Sequence, residues 1–471
     1  MSRIVTNVQS LVAQRVLGNQ NTELNRSLTR LSTGLRINTG ADDPAGLIGS
    51  ETLRAQKVAI DAAIDNARRA DNVLAVAEGS LQEVNRLLLE LEDLIDRSAN
   101  ESALSEAEID ANQSQIDAIL QSIDRIANTT EFAGRKLLGG AFEFTTSGVS
   151  TAEFADVQVN AAKLPEGSTR EVVVEVVTGS EFAYITAAGG GAGGALSAAT
   201  TIELGGNYGN EVVSFASGTT LSEMATAINT STQLTGVSAV VSGTSLYLTS
   251  TQYGSDATVS VETISGSLTL SGNNDEGLDG TVTINGTNAN VDGLEASIRT
   301  GSVDVQLTLD SSFGSTAGSN GSFHITGGGA LFNIAPEVSF VGMETIGLRS
   351  TTTGSLGNRT DGFLTSLSNG STNDLRSSNF ATAQRVVRAA QEQVSTLRGR
   401  IGAFQKDTLS TTVNALLVAM ENTAAAESAI RETDFAETTS ALTRAQILVN
   451  TSTQTLQLAN AQPQSVLALL G

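Results

Sequence analysis

Apolar residues recur at intervals of three and four near both ends of this 471-residue chain. Such intervals place the side chains on one face of a helix, as in the seam of a coiled coil. The N- and C-terminal segments are therefore predicted to be long helices that pair as a coiled coil or helical bundle. The stripes consist of Leu24, Leu28, Leu31 and Leu35 near the start, and of Leu442, Ala445, Val449, Ser452, Leu456 and Ala459 near the end.

Three more segments carry similar stripes and are predicted to be helical: Val73 to Ile95, Ile109 to Ile126, and Val387 to Phe404. Ser105 with Glu108 three residues later matches a capping box and should begin the second of these. Pro463 lacks an amide hydrogen and is expected to interrupt the last helix of the chain.

The middle of the chain alternates or runs apolar between Gly, Asn and Ser turns, which is typical of β-strands. The fold class predicted is thus α+β and multidomain, with terminal helices around a β-rich central insert. Basic residues almost disappear in this insert. The strand candidates are EVVVEVV from Glu171, EVVSF from Glu211, SLYLTS from Ser245, GTVTI from Gly280 and VDVQLTL from Val303.

The acidic composition limits the partners of the chain. Its formal charge of −23 would repel phosphates, so neither nucleic acid nor anionic lipid is expected as a partner. No stretch approaches the roughly 20 apolar residues needed to span a bilayer, so no membrane insertion is expected, and the first residues lack the apolar core of a cleaved signal peptide.

Residues for common catalytic chemistry are scarce. The chain has no cysteine and one histidine, His324, which excludes thiolate chemistry, a two-histidine metal motif and a histidine triad. Asp42 and Asp43 stand beside Pro44 in a turn-rich connector, where carboxylates more often cap a helix than form a catalytic pair. No catalytic residue, cofactor or metal is therefore expected, and the chain is interpreted as a non-enzyme.

Six long motifs resemble bacterial flagellin, and they follow one another in that family's order. They cover about the first 140 and the last 100 residues, which makes the resemblance specific. Three lie in the N-terminal arm: LSTGLRINTGADDPAGLIGSETLRAQ from Leu31, RADNVLAVAEGSLQEVNRLL from Arg69 and EFAGRKLL from Glu131. Three lie in the C-terminal arm: LRGRIGAFQKDTL from Leu397, ENTAAAESAIRETDFAETTSALTRAQIL from Glu421 and the ending ANAQPQSVLALLG.

The resemblance implies a domain organisation. Residues 1–44 with 425–471 would form the terminal helical core of a filament, and the two stripes would be its packing seams. Residues 45–166 with 330–424 would form a helical bundle with a β-hairpin region. Residues 167–329 would form outer β-rich domains with a flagellin and hook-type module near 200–265, carried by GTTLSEMATAINTSTQLTGVSAVVSGTSLYLTS from Gly218 and centred on Ile228 and Asn229.

The resemblance also implies a function. The chain would be exported unfolded by the type III route, held by a flagellar export chaperone, and would polymerise with itself into the extracellular flagellar filament for swimming motility. Hook-associated junction and cap proteins would be further partners. Members detected by the vertebrate innate receptor carry an arginine where this chain has Glu90, while Leu94 is retained, so weak receptor activation is expected of this helix.

The sequence leaves three alternatives open. The apolar stripes could form a bundle within one chain rather than between chains. The chain could be a hook–filament junction protein, although its PQSVLALL ending departs from what that group usually shows. The outer domain could also carry an adhesive function or an inserted enzyme, for which only carboxylate chemistry would be available.

Overall fold

The computed structural model describes residues 6–100, 104–165, 168–191 and 194–470, with side chains described up to residue 462. The chain divides into two compact units. The first comprises Met1–Arg68, Ile334–Val338 and Ser410–Gly471, and the second comprises Arg69–Asn333 and Ser339–Leu409.

Long helices occupy both arms of the chain, so the predicted α+β class with terminal helices and a β-rich middle is confirmed. Every stripe named above lies in a helix except Leu35, which follows the first one, and Phe404, which begins a π-helical turn, Phe404–Ser410. The helices are α1 Val8–Thr33, α2 Pro44–Ser98, α3 Glu106–Thr129, α4 Leu221–Thr230, α5 Thr232–Thr235, α6 Ser311–Gly314, α7 Phe380–Ala403, α8 Thr411–Arg431 and α9 Phe435–Leu470.

Local signals account for several helix ends. The Ser105 hydroxyl accepts from the Glu108 amide and the Glu108 carboxylate accepts from the Ser105 amide, which confirms the predicted capping box at the start of α3. The helix α1 ends at Gly34, whose φ of 73° is the left-handed conformation that glycine adopts readily. Pro463 was expected to interrupt the last helix, but this is wrong: α9 continues past it to Leu470.

The strands are antiparallel throughout the described sheets. In the first half they are β1 Glu131–Phe132, β2 Arg135–Lys136, β3 Thr145–Ser147, β4 Phe154–Ala162, β5 Arg170–Thr178, β6 Phe182–Gly189, β7 Thr200–Gly206, β8 Gly209–Phe215, β9 Val237–Ser242, β10 Ser245–Tyr253, β11 Thr258–Ser265 and β12 Leu268–Leu270. The others are β13 Asn274–Glu276, β14 Thr281–Ile284, β15 Thr287–Asn288, β16 Asn290–Asp292, β17 Glu295–Arg299, β18 Val303–Leu309, β19 Asn320–Gly327, β20 Ala330–Asn333, β21 Met343–Ile346, β22 Gly357–Asn358 and β23 Gly362–Phe363. All five strand candidates from the sequence are confirmed.

Two sheets form what we call the first β module, in the orders β15-β14-β5-β19-β3 and β16-β17-β18-β4. Both contribute to one core in which Phe154 contacts Phe313 and Phe323. Phe144 belongs to the same core. The β structure therefore begins before the boundary expected at residue 167, because β4 pairs with the distant β18.

Residues 182–276 form a second β module, inserted between β5 and β14. Its sheets, β12-β6-β10-β9 and β13-β11-β7-β8, enclose a core with the apolar face of α4. The expected helix-then-hairpin pattern is confirmed as α4 followed by β9 and β10. Ile228 is buried in this core, and the Asn229 side chain both donates to the Ala239 carbonyl and accepts from the Ala239 amide.

The helical part of the second unit contains residues of α2, α3 and α7. The stripes predicted from Ala77 to Ile95 and from Val387 to Ile401 are buried. Ion pairs between α2 and α7 flank the apolar contact, with 2.9 Å between Arg388 and Glu92 and 2.8 Å between Arg398 and Glu78. Among the described residues, no helix is both long and apolar enough to cross a membrane.

Candidate assembly site at the terminal helices

The helices α1 and α9 pack against each other within the first unit. Asn7 begins α1, because its side-chain oxygen accepts from the Ser10 amide at 3.0 Å. The same side chain donates to the carbonyl of Ala459 at 2.7 Å, and the Ser10 hydroxyl donates to Asn460 at 2.7 Å. These bonds fix the start of α1 beside the later part of α9.

The least exposed positions of α1 alternate by threes and fours along the whole helix. Ser10, Ala13 and Ser27 are buried, and the positions between and after them in the same alternation are half-buried. Small side chains let two helix backbones approach closely. Leucine spacing alone did not indicate this stripe, which runs through Ser10, Ala13, Leu17, Gln20, Leu24, Ser27 and Leu31.

The corresponding stripe on α9 contains every position named from the sequence. Ala445, Ser452 and Ala459 are buried, and Leu442, Val449 and Leu456 are half-buried. The seam residues of α9 are therefore covered within the chain. Their role in packing between subunits stays a prediction.

Leu28 lies outside the buried stripe of α1, with 46% of its surface exposed. The reason is geometric, because Ser27 rather than Leu28 occupies the row that is covered. Other large apolar side chains on these two helices are also exposed, and they are available for contacts outside the chain. These are Val8, Leu11, Val12 and Val16 on α1 and Phe435, Ile447, Leu448 and Leu458 on α9.

Backbone hydrogen bonds join the end of α1 to the short break between α8 and α9. Leu35 is half-buried and pairs with Glu432 in an isolated antiparallel bridge. The Arg36 guanidinium donates twice to the Ile430 carbonyl, at 2.6 and 3.2 Å. A cation at the end of α8 compensates carbonyls that have no partner within the helix.

The connector carboxylates act as turn acceptors, which is the structural role expected from the sequence. Asp42 accepts from Thr39 and Asn38, and the Thr39 amide is the main cause of its lowered pKa, with further contributions from the Thr39 hydroxyl and from Arg26. Asp43 accepts from the Gly46 amide at 2.9 Å as α2 begins at the exposed Pro44. Neither carboxylate is available for an additional chemical task without breaking this turn.

The helix expected to contact the innate receptor presents only one of its two named residues. Glu90 is exposed and pairs with Arg86 at 3.2 Å, one helical turn away. Leu94 is 6% exposed and belongs to the core of the bundle. A direct contact between this helix and the receptor would therefore use Glu90, because Leu94 faces the core of the bundle.

Within the described ranges, no group of three or more His, Cys, Asp or Glu side chains is arranged to hold a metal ion. His324 lies exposed on β19. The geometry instead concentrates exposed apolar surface on α1 and α9, which suits association with other protein surfaces.

Three family models match this chain. The bacterial flagellin N-terminal helical region matches residues 4–143, the flagellin C-terminal helical region matches residues 385–470, and the flagellin hook IN motif matches residues 201–252. The first two contain α1 and α9, and the third covers the helix and hairpin of the second β module.

Individual relatives agree with these matches. Polar flagellin F of Vibrio parahaemolyticus is 42% identical over 33% of this chain and 41% of its own length, so the chain spans less than half of that relative. Flagellin D of Vibrio anguillarum is 28% identical over 99% of this chain and 98% of its own. Flagellin B of Vibrio cholerae is 27% identical over the same shares.

Proposed function

Because this chain belongs to the bacterial flagellin family, we propose that it is a non-catalytic structural subunit that polymerises into a flagellar filament for swimming motility. The observation that carries the proposal is the exposed apolar surface of α1 and α9, the helices that the family models match. Ile447 is 60% exposed and Leu458 70% exposed, although each is a large aliphatic side chain.

Burial of such side chains contributes about 25 cal/mol per Å² of apolar surface, which favours association once copies meet. Because the buried stripes of α1 and α9 face each other, the exposed apolar side chains of the two helices point away from the helix pair. The proposed mechanism is therefore that the helix pair forms within the chain and the remaining apolar faces pack on neighbouring copies. Leu28 would be one such contact, while Ala445 would hold the pair together.

Location and partners follow from the family only as proposals. The chain would be exported unfolded, assisted by a chaperone of the flagellar system, and would be extracellular after assembly. Junction and cap proteins would contact the two ends of the filament. The domain limits given above, with the terminal helices innermost and the β modules outward, belong to the same proposal.

The test is salt-induced polymerisation of the purified chain, followed by negative-stain microscopy. Long tubes are expected from the full chain, and a variant lacking residues 442–471 should remain monomeric because most of α9 is removed. Filaments from that truncation would contradict the assignment of α9. Failure of the full chain to form tubes under any nucleating seed would contradict the proposed function itself.

A further inference from the structure

The second β module presents one sheet face without charged side chains. In the sheet β12-β6-β10-β9, alternate residues point away from the core, as the strand period requires. Five large side chains on this side, four of them aromatic and one aliphatic, are exposed or half-buried, and we call them the aromatic platform. They are Phe182, Tyr184, Val240, Tyr247 and Tyr253.

Strand pairing brings these residues together from three strands. Tyr247 on β10 lies opposite Val240 on β9, and Phe182 on β6 lies opposite Tyr253. The Phe182 ring is 5.5 Å from the Tyr253 ring and 6.2 Å from the Tyr184 ring, measured between centroids. Three rings of the platform therefore contact one another, and Tyr247 with Val240 lies on the same face in the next residue pair along the strands.

Hydroxyl groups surround the rings on the same face. Thr249 lies between Tyr184 and Ser238 in neighbouring strands, and its hydroxyl is 2.9 Å from that of Ser238. Thr186 lies opposite Tyr247. At the strand edge, Asp275 accepts the Tyr184 amide at 2.8 Å, so one carboxylate stands at the rim.

The opposite sheet of the module has a different character. Glu203 and Glu262 are cross-strand neighbours there, and Glu276 lies on the adjoining strand β13. Residues 182–276 contain seven acidic and no basic residues. Four of these acidic residues, Glu203, Glu211, Glu262 and Glu276, therefore lie on the opposite sheet, and Asp275 of that sheet reaches the rim of the platform.

This distribution decides between partners. Anionic polymers would be repelled by the acidic module, and cationic ones would find a carboxylate only at the rim of the platform. Uncharged sugar rings meet neither obstacle: their C–H faces pack on aromatic rings, and their hydroxyls exchange hydrogen bonds with Thr and Ser side chains. From these observations we infer that the aromatic platform binds a neutral polysaccharide.

The inference can be tested on the soluble full chain with microcrystalline cellulose and chitin as insoluble probes and their hexasaccharides as soluble ones. The chain has no tryptophan, and all four tyrosines lie in the second β module, so tyrosine fluorescence reports on this module alone. Saturable adsorption to at least one probe and a matching fluorescence change are expected. No adsorption of the unmodified chain to either would overturn the inference.

Variants distinguish the platform from other surfaces. The combined change Tyr184→Ala with Tyr247→Ala should weaken binding at least tenfold, while Tyr184→Phe with Tyr247→Phe should retain most of it because the rings remain. Tyr208→Ala is the matched control, since Tyr208 is comparably exposed outside the platform. Equal losses in the control and the double variant would overturn the assignment.

Two further measurements address a variant that fails to fold and self-association through the platform. The single change Tyr247→Ala provides a second variant if the double one does not fold, as judged by circular dichroism. Analytical ultracentrifugation would detect a tyrosine-dependent dimer, and such a dimer without adsorption would assign the platform to a second copy and overturn the inference. Polymerisation is measured separately, so failure here is distinguishable from failure of the proposed filament function.

Discussion

The side-chain amide of Asn7 donates to the carbonyl of Ala459, two residues that are 452 positions apart. Ala459 lies four residues before Pro463, and its carbonyl is the one that an amide at position 463 would bond in a regular helix. Proline has no amide hydrogen to offer. Asn7 therefore supplies a donor where the sequence of α9 removes one, and the helix continues to Leu470.

Replacing Asn7 should separate its two roles. Asn7→Ala loses both the cap of α1 and the bond to Ala459, with an expected local cost of about 1–2 kcal/mol. Asn7→Asp retains a cap acceptor but cannot donate, so it should loosen α9 more than α1. Hydrogen exchange of peptides from both helices measures this. Thr22→Ala is the control, because the Thr22 hydroxyl donates to the Gly18 carbonyl within α1. Unchanged protection of α9 in Asn7→Asp would contradict the role of the donor.

Two glycines near the start of α2 should respond oppositely to alanine. A Cβ at Gly46 would overlap the Asp43 carboxylate and lie 2.6 Å from the buried Ile37 side chain, whereas at Gly49 the nearest atom is 3.9 Å away, on Ile430. Gly46→Ala should lower the free energy of unfolding by about 1–2 kcal/mol through overpacking. Gly49→Ala should raise it by up to about 1 kcal/mol through helix propensity. Thermal unfolding of the monomer compares them, and a Gly46→Ala variant as stable as Gly49→Ala would refute the close packing of the connector.

The contact between α2 and α7 should make stability depend on pH. Burial by itself would raise the pKa of Glu92, but hydrogen bonds from Gln391 and Arg388 and the charge of Arg388 outweigh it, and the pKa is lowered. The stabilisation is present above the unfolded pKa of about 4.3 and disappears as pH falls through the lower folded value.

Glu92→Gln should accordingly cost about 0.5–1 kcal/mol at neutral pH, since Arg388 is largely exposed, and the difference should shrink toward about pH 3. Arg86→Ala serves as control because its pairs with Glu83 and Glu90 are exposed on α2 alone. Chemical denaturation across pH gives the comparison. A difference that stays constant with pH would show that the charge of Glu92 is not its source.

Substitutions on α1 and α9 should distinguish folding of the subunit from assembly. Leu28→Asp changes an exposed residue, so monomer stability should shift by no more than about 0.5 kcal/mol while polymerisation is strongly reduced. Ala445→Asp should instead open the helix pair, because Ala445 is 2% exposed and a buried carboxylate lacks a partner there. Leu234→Asp, at an exposed position of the second β module, should leave polymerisation intact. Sedimentation of polymer tests all three, and normal filaments from Leu28→Asp would exclude that residue from the contact.

Charge reversal at Glu90 tests the receptor hypothesis. Glu90→Arg removes the pair with Arg86, and because both side chains are exposed to solvent this pair contributes little to stability, so folding should be preserved. A receptor reporter-cell assay should then show stronger activation than the unmodified chain. Glu90→Ala controls for loss of the carboxylate without a new cation. Equal potency of the unmodified chain and Glu90→Arg would reject the hypothesis.

The local features of this protein were determined by its sequence. Heptad intervals indicated the helices, alternating apolar residues indicated β5, β8, β10, β14 and β18, and the Ser105 capping box began α3 where expected. Each depends on interactions between residues a few positions apart, so the pattern is visible without knowledge of the fold.

Only the tertiary structure decided which side chains meet. Spacing could not choose between the adjacent rows of Ser27 and Leu28, because the choice depends on where α9 lies. It could not show that Asn7 compensates for Pro463 or that Leu94 is buried, since those outcomes depend on residues far along the chain. The aromatic platform arises in the same way, because strand pairing places Tyr184 and Tyr247 on one sheet face from strands separated by more than 50 residues. The physical reason is that local propensity fixes the period of a pattern, whereas long-range packing fixes the partner that each face receives.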